Sequence, residues 1–210
     1  MAVQVDTFVN GSLEENCYLI YDSARAEAVV IDPGAEAERL CQTLDRQGLK
    51  PVLILATHGH FDHVGGVQAL QQRYGAPFGL AKADAELLDV LEDSYAFYGL
   101  GSTKKPAVDR WLVAGEVLQA GGLDLRVLGT PGHTQGGLCF YHPGSASLFS
   151  GDTLFAGSVG RSDFEGGDHG QLVASIKAEL LGLPDATRVF PGHGEASTIG
   201  QERAENRFLR

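Results

Sequence analysis

The chain opens with Val3, Val5, Thr7 and Val9 at alternate positions, the period of a half-buried strand. Cys17 to Tyr21 and Ala28 to Ile31 are short apolar runs of strand type, and Asp32-Pro-Gly34 stops the second. From Ala35 to Gln47 the apolar positions Ala37, Leu40, Cys41 and Leu44 follow a helix spacing, which Gly48 closes. Val52 to Ala56 predicts a buried strand, and Val64 to Tyr74 a helix with Val64, Val67 and Leu70 on one side. Ala76 to Leu80 reads as a strand, Ala83 to Tyr95 as a helix, and Gly99 to Pro106 as a connecting loop carrying the only Lys-Lys pair. Further strands are predicted at 115–119 and 123–128 about Gly121-Gly122, then at 137–141, 147–150 and 188–190. Helices are predicted at 172–181 and 201–208. Strands and helices thus alternate twice, with no linker and no fixed-period repeat. The simplest arrangement is an α/β fold of two sheets packed face to face with helices outside, as one domain over 1–210.

Composition narrows the function. Hydrophobic residues are 43% of the chain, enough for a core without disulfides. Glycine is 28 of 210, about twice the usual share of ~7%, which points to many tight turns and close backbone approaches. The net charge of −11 argues against a nucleic-acid surface, which needs clustered Lys and Arg. The start has no basic, apolar leader pattern, and the longest apolar run, Val52 to Ala56, is far short of the ~20 residues of a membrane helix. Cys17, Cys41 and Cys139 form no C-x-x-C and are expected to be reduced, buried thiols of a cytoplasmic protein.

Five of the seven histidines share one local design, a short apolar strand that ends in a tight turn and delivers a histidine. Leu53 to Thr57 leads into His58-Gly-His60-Phe-Asp62-His63, Leu125 to Gly132 into His133, and Arg188 to Gly192 into His193. Ser147 to Gly151 delivers a carboxylate instead, Asp152. Side chains brought by several strands to one sheet edge can converge on one point. His58 and His60, two apart in extended chain, point the same way and suit one ion, whereas Asp62 and His63 leave in another direction, towards a second. Imidazole and carboxylate ligands suit zinc, with iron or manganese as the other options. Seven ligand-type residues exceed the needs of one catalytic ion, so two divalent ions are expected, with Asp152 as the natural bridge. Two metals ~3.5–4 Å apart hold a hydroxide and polarise an acyl or phosphoryl oxygen, which makes hydrolysis the expected chemistry. Gly59, Gly65 and Gly66 are expected to let backbone and metal come close, and Asp32 to receive a ligand histidine's second N–H.

Thr57-His-Gly-His-Phe-Asp-His63, Pro131-Gly-His133, Ser150-Gly-Asp-Thr-Leu-Phe155 and Pro191-Gly-His-Gly194 resemble the successive metal motifs of the metallo-β-lactamase-fold hydrolases, and Asp32-Pro-Gly34 resembles their first, structural motif. The resemblance implies an αββα sandwich of two mixed sheets. It implies His58, His60 and His133 on one metal, Asp62, His63 and His193 on the other, and Asp152 between them. Oxygen-reducing flavodiiron relatives carry an acidic residue where this chain has His60, and zinc β-lactamases lack the bridging aspartate. The chain is most similar to short bacterial glyoxalase II-like proteins (hydroxyacylglutathione hydrolases), through Gly157 to Phe164 and Ser197 to Arg203 with Asn206 and Phe208. It carries no match to the added C-terminal helical domain of full-length glyoxalase II, which bears on glutathione specificity.

The resemblance implies a thioester hydrolase acting on a small molecule such as S-lactoylglutathione. Asp62 and Asp152 are its catalytic carboxylates, Asp62 orienting the hydroxide, and Arg161 stands where a basic residue contacts glutathione. Arg161 is equally read as a loop ion pair with Asp163. The alternative is a persulfide dioxygenase of the same fold, with one iron on His58, His133 and Asp152; a non-enzymatic metal-binding protein is the third reading. His142 and His169 are expected at the surface or in caps, and Trp111, Tyr95, Phe97 and Tyr98 in core or lid packing, with a substrate-lining role open for Tyr98.

Overall fold

The computed structural model describes residues 2–210. Its first sheet runs, in spatial order, through β1 (Val3–Asn10), β2 (Glu15–Asp22), β3 (Glu27–Ile31), β4 (Lys50–Leu55), β5 (Phe78–Ala81) and β6 (Arg110–Leu112). The first three strands pair antiparallel and the last three join in parallel. Helices α1 (Ala37–Gln47), α2 (Phe61–Val64), α3 (Val67–Tyr74) and α4 (Leu91–Phe97) belong to this half. The second half contributes β7 (Val117–Ala120), β8 (Leu123–Gly129), β9 (Leu138–His142), β10 (Ser147–Gly151), a two-stranded hairpin of β11 (Leu154–Phe155) and β12 (Ser158–Val159), then β13 (Arg188–Pro191) and β14 (Ser197–Thr198). Its sheet has the order β14-β13-β10-β9-β8-β7, mixed again, with β10 and β13 parallel. Helices α5 (His169–Ser175) and α6 (Ile199–Glu205) lie in this half.

The near-continuous apolar runs have a direct cause: the central strands are covered on both faces. Along β2, Cys17 and Leu19 enter the core under α1 and α3, while Tyr18 and Ile20 enter the core between the sheets. The same alternation splits Val30 from Val29 and Ile31, and Ile54 from Leu53 and Leu55. In the second sheet Phe140, Phe149 and Phe190 face the inter-sheet core, and Cys139, Leu148 and Val189 face Leu172, Ile176 and Ile199 of the outer helices. Three cores thus separate four layers, helices–sheet–sheet–helices, and the expected two-sheet α/β architecture is the one observed.

Several element boundaries differ from expectation. The helix predicted over 64–74 is two helices, because Tyr95 packs against Gly65 and the Pro33-Gly34 backbone against Gly66, which re-aims the chain between α2 and α3. Those glycines, with Gly59 against Asp84, admit close approach of other protein segments. The helix predicted over 83–95 is a 3-10 run, Lys82–Leu88, followed by α4; the run turns Asp84 inward. α5 begins before the predicted start and ends in a π turn, Ile176–Leu180, and α6 gives way to a 3-10 turn, Arg207–Leu209. Strands β6, β11, β12 and β14, two or three residues each, are too short for periodicity to reveal. Trp111 sits half-exposed on edge strand β6 and Phe97 is 85% exposed, so neither is core; Tyr95 is buried. The 99–106 segment is tied down: Thr103 donates to the Gly65 carbonyl, and Lys104 and Lys105 pair with Glu92 and Asp89 of the preceding elements. No described helix is long and apolar enough to cross a membrane.

Candidate metal centre

All seven sequence-predicted ligand residues meet at one edge of the sandwich. His58, His60, Asp62 and His63 follow β4, His133 follows β8, Asp152 follows β10 and His193 follows β13. His58, His60 and His133 form one group and Asp62, His63 and His193 another, with ligand atoms in each within 4.8 Å of one another; His58, His63 and Asp152 form a third, overlapping group. Asp152 Oδ2 stands 3.7 Å from His133 Nε2 and 3.8 Å from His193 Nε2, and its Oδ1 stands 3.4 Å from His63 Nε2. Among the described residues it is the carboxylate that touches both histidine groups. Asp62 Oδ2 reaches only the second, 3.4 Å from His193 Nε2 and 3.9 Å from His63 Nε2.

Hydrogen bonds fix which nitrogen of each ring faces inward. A carbonyl or carboxylate oxygen only accepts, so His133 Nδ1 donates to the Arg161 carbonyl at 2.7 Å, His193 Nδ1 to the Leu13 carbonyl at 3.0 Å and His63 Nδ1 to Asp32 at 3.1 Å. Thr57 Oγ1 donates to Asp32 at 2.7 Å, which leaves it to accept from His58 Nδ1 at 3.1 Å. In the neutral form that binds metal, four rings therefore present a bare Nε2 to the cluster. His133 Nε2 lies 3.2 Å from His58 Nε2 and 3.0 Å from His60 Nδ1, and the two Nε2 lone pairs facing each other at that separation repel unless a cation sits among them. For Zn–N bonds of ~2.0–2.1 Å in a tetrahedron, nitrogens stand about 3.3 Å apart, so the spacing fits. His63 Nε2 and Asp152 Oδ1 are buried with no hydrogen-bond partner, two further ligand-type atoms aimed into the cluster. The residues present fit divalent metal.

Burial and neighbouring charge set the protonation states. Burial, with the adjoining imidazoles, pushes His60 and His133 down to about 4 and His58 well below the usual histidine range. These rings are neutral and ready to ligate. Burial opposes charge on His63 as well, but Asp152, Asp62 and Asp32 outweigh it and raise its pKa. Burial raises Asp152, whereas His63 and His193 overcome burial at Asp62 and hold it below the usual carboxylate range. Packing keeps the two groups adjacent: a Cβ on Gly192 would overlap Asp152 and His63.

Four groups escape sequence reasoning. Asp84, 1% exposed, accepts from Gly59 N at 2.9 Å, Thr134 Oγ1 at 2.8 Å and Gly136 N at 2.6 Å, cross-linking the His58–His63 segment to the His133 turn. Asn16 Nδ2 donates to the Pro191 and Gly194 carbonyls, each at 3.0 Å, and brackets His193. Glu15 is buried, accepts from Asn10 and lies 3.8 Å from His63 Nδ1; burial raises its pKa well above the carboxylate range. The fourth is the Arg161 backbone carbonyl on His133. The one available signal was the polar Glu15-Asn16 pair at the head of an otherwise apolar strand. The expected Asp32 contact to a ligand histidine is present, and His142 caps the 143–145 turn by accepting from Ser145 N. The Arg161 side chain forms the exposed pair with Asp163 at 2.9 Å and also lines a cleft of about 530 Å³ over the cluster. Phe61, Tyr98, Phe155 and Phe164 line the same cleft, Tyr98 stacked on Phe61 with ring centroids 4.6 Å apart.

Comparison with known proteins agrees with this geometry. The profile of the Metallo-beta-lactamase superfamily matches residues 11–193. Hydroxyacylglutathione hydrolase GloC of Haemophilus influenzae is 40% identical over 200 residues, covering 94% of each chain. Among solved structures, the BLEG-1 B3 metallo-beta-lactamase superposes with a TM-score of 0.91 at 39% identity, over 98% of this chain and 99% of that one. TTHA1623 in a di-iron-bound form gives 0.88 at 43% identity, over 98% and 100%. ETHE1 from Myxococcus xanthus gives 0.82 at 28% identity, over 97% and 83%.

Proposed function

Because this chain belongs to the metallo-β-lactamase superfamily of hydrolases, we propose that it cleaves thioesters of small thiols, S-lactoylglutathione among them, with two divalent metal ions held by the histidine–aspartate cluster. The observation that carries the proposal is the pair of three-residue donor groups joined by Asp152. The relative named as a hydroxyacylglutathione hydrolase supports the choice of thioester, and the di-iron neighbour makes iron a candidate beside zinc and manganese. His58, His60 and His133 would hold one ion, Asp62, His63 and His193 the other, and Asp152 would contact both. When bound, such ions supply a Lewis acid for the carbonyl oxygen and acidify a water.

The chain's own groups do the rest. Asp62, held anionic by its histidine neighbours, would accept a hydrogen bond from the attacking water and aim it. The Nδ1–H bonds of His58, His63, His133 and His193 lock the rings, so the site is organised before substrate arrives. The aromatic side chains in the cleft wall offer an apolar surface to the acyl group. A thiolate leaves without a proton donor, since thiol pKa values lie near ~8.5; this suits a site whose ring N–H groups are turned away from the cluster to protein acceptors. Arg161 at the rim offers a charge for a substrate carboxylate. Three buried, unpaired cysteines suit a reducing cytoplasm.

One panel tests the proposal. A single metal-replete preparation is given S-lactoylglutathione, glutathione persulfide and a β-lactam, following thiol release, oxygen uptake and ring opening, with elemental analysis alongside. Thiol release from the thioester and two ions per chain are expected. Oxygen uptake with the persulfide and no thiol release would overturn the hydrolase in favour of the iron dioxygenase. Ring opening alone would make the chain a lactamase, the activity for which its BLEG-1 neighbour is named.

A further inference from the structure

The C-terminal helix α6 carries a buried carboxylate that the chemistry above does not use. Glu202 is 1% exposed and makes no ion pair among the described residues. Its Oε2 accepts from Gly157 N at 2.9 Å and from Asn206 Nδ2 at 2.8 Å, while Oε1 is buried without a partner. Asn206, also 1% exposed, donates in addition to the Ser158 carbonyl at 3.0 Å. Burying a carboxylate with one idle oxygen is costly, so the fold gains something from the oxygen that is engaged. Both residues grip the same object, the turn of the β11–β12 hairpin, and Leu209 packs with Leu154 and Val159 beside them.

That hairpin connects a ligand position, Asp152, with the residue whose carbonyl orients a second ligand, His133. It leaves the sheet directly after Asp152 and Thr153, turns at Ala156-Gly157, and returns through Gly160 to Arg161. On its way out, Thr153 is fixed by its N–H to the Ser150 carbonyl at 3.0 Å and its hydroxyl to Thr130 at 3.0 Å. On its way back, Gly160 lies so close to the Asp152 carbonyl that a Cβ there would overlap it. One residue later, the Arg161 carbonyl accepts from His133 Nδ1 and so determines which nitrogen His133 turns to the cluster. Phe155, on the outgoing strand, faces the His193 ring at 6.5 Å.

We infer that Glu202 and Asn206 are positioning residues, a clamp that sets the β11–β12 hairpin and through it the Asp152 backbone, the orientation of His133 and the cleft wall at Phe155 and Arg161. Residues 202 and 206 lie beyond the stretch matched by the superfamily profile, so the clamp stands outside the shared metal motifs. The inference rests on the cluster being a metal centre.

The test compares Glu202→Ala, Glu202→Gln and Asn206→Ala with the parent protein. Chelator competition on the metal-free proteins gives the Zn²⁺ dissociation constant, kinetics with S-lactoylglutathione give kcat and KM separately, and thermal unfolding gives Tm, with all binding measured well below it. Either alanine variant should weaken Zn²⁺ binding about tenfold and raise KM severalfold. Glu202→Gln keeps the oxygen that both donors use, and should stay within twofold of the parent. The double alanine variant should lose little more than either single one, because one clamp is broken once. Alanine variants that lower Tm yet leave the Zn²⁺ dissociation constant and KM within twofold would make the clamp merely structural. So would a Glu202→Gln protein as impaired as Glu202→Ala. A parent protein that takes up no metal would instead refute the metal-centre reading itself.

Discussion

Asp32 Oδ2 lies 3.1 Å from His63 Nδ1, and both side chains are almost wholly buried. The same oxygen accepts the Thr57 hydroxyl, and Oδ1 accepts Thr57 N at 2.6 Å, so one carboxylate governs His63 directly and His58 through Thr57. Asp32 adopts φ +52°, a left-handed conformation that aspartate tolerates better than most residues, right at the end of β3. A strained residue that anchors two ligand-type histidines is a place where structure has been given up for function.

Replacing Asp32 with Asn keeps its size but puts an amide N–H₂ where an acceptor is needed. Metal affinity should drop ten- to a hundredfold, the usual cost of losing a group that orients a ligand histidine. Titration of metal-free protein with Zn²⁺ against a chelator measures it; unchanged affinity would remove Asp32 from this role.

Asp84→Ala should be among the most destabilising changes outside the ligand set. It strands two buried backbone N–H groups and the Thr134 hydroxyl, which at ~1–3 kcal/mol each amounts to about 3 kcal/mol or more. Urea unfolding of metal-free protein is the measurement. A loss under about 1 kcal/mol would mean water replaces the carboxylate.

Asp152→Ala should cost more activity than His193→Ala. Asp152 stands near His63, His133 and His193, residues of both groups, whereas His193 belongs to one group and is the more exposed side chain. Elemental analysis should show metal lost from both groups in the first variant and from one in the second. Equal losses would undo the bridging assignment.

The metal-free protein should show a histidine-linked pH dependence of known sign. His60 has a folded-state pKa of about 4, below its unfolded value near ~6.5, so between these values the unfolded chain binds the extra proton. Its contribution to stability is therefore intact above pH ~6.5 and falls as pH drops towards 4. The unfolding free energy of the parent minus that of His60→Gln should decrease over this window by up to about 3 kcal/mol. A difference that stays flat would show that His60 titrates normally.

The ligand set was legible because local spacing concentrates it: four donors in six positions after an apolar strand need no tertiary information to stand out. The layer order was legible too, since strands buried on both faces, such as Cys17 to Tyr21 and Ala28 to Ile31, must have partners above and below. Asp32 was legible as well, but Asp84 and Glu202, whose partners are also remote in sequence, escaped. Asp84 reads as one more polar position on an amphipathic helix, and only the approach of Gly59 and Gly136, 25 and 52 residues away, turns it inward. Glu202 sits in a helix that looks solvated until the β11–β12 turn, 45 residues upstream, closes over it. Chemical identity of donors is written locally, residue by residue. The orientation of each donor is decided by hydrogen bonds between distant segments, and no period in the chain encodes those.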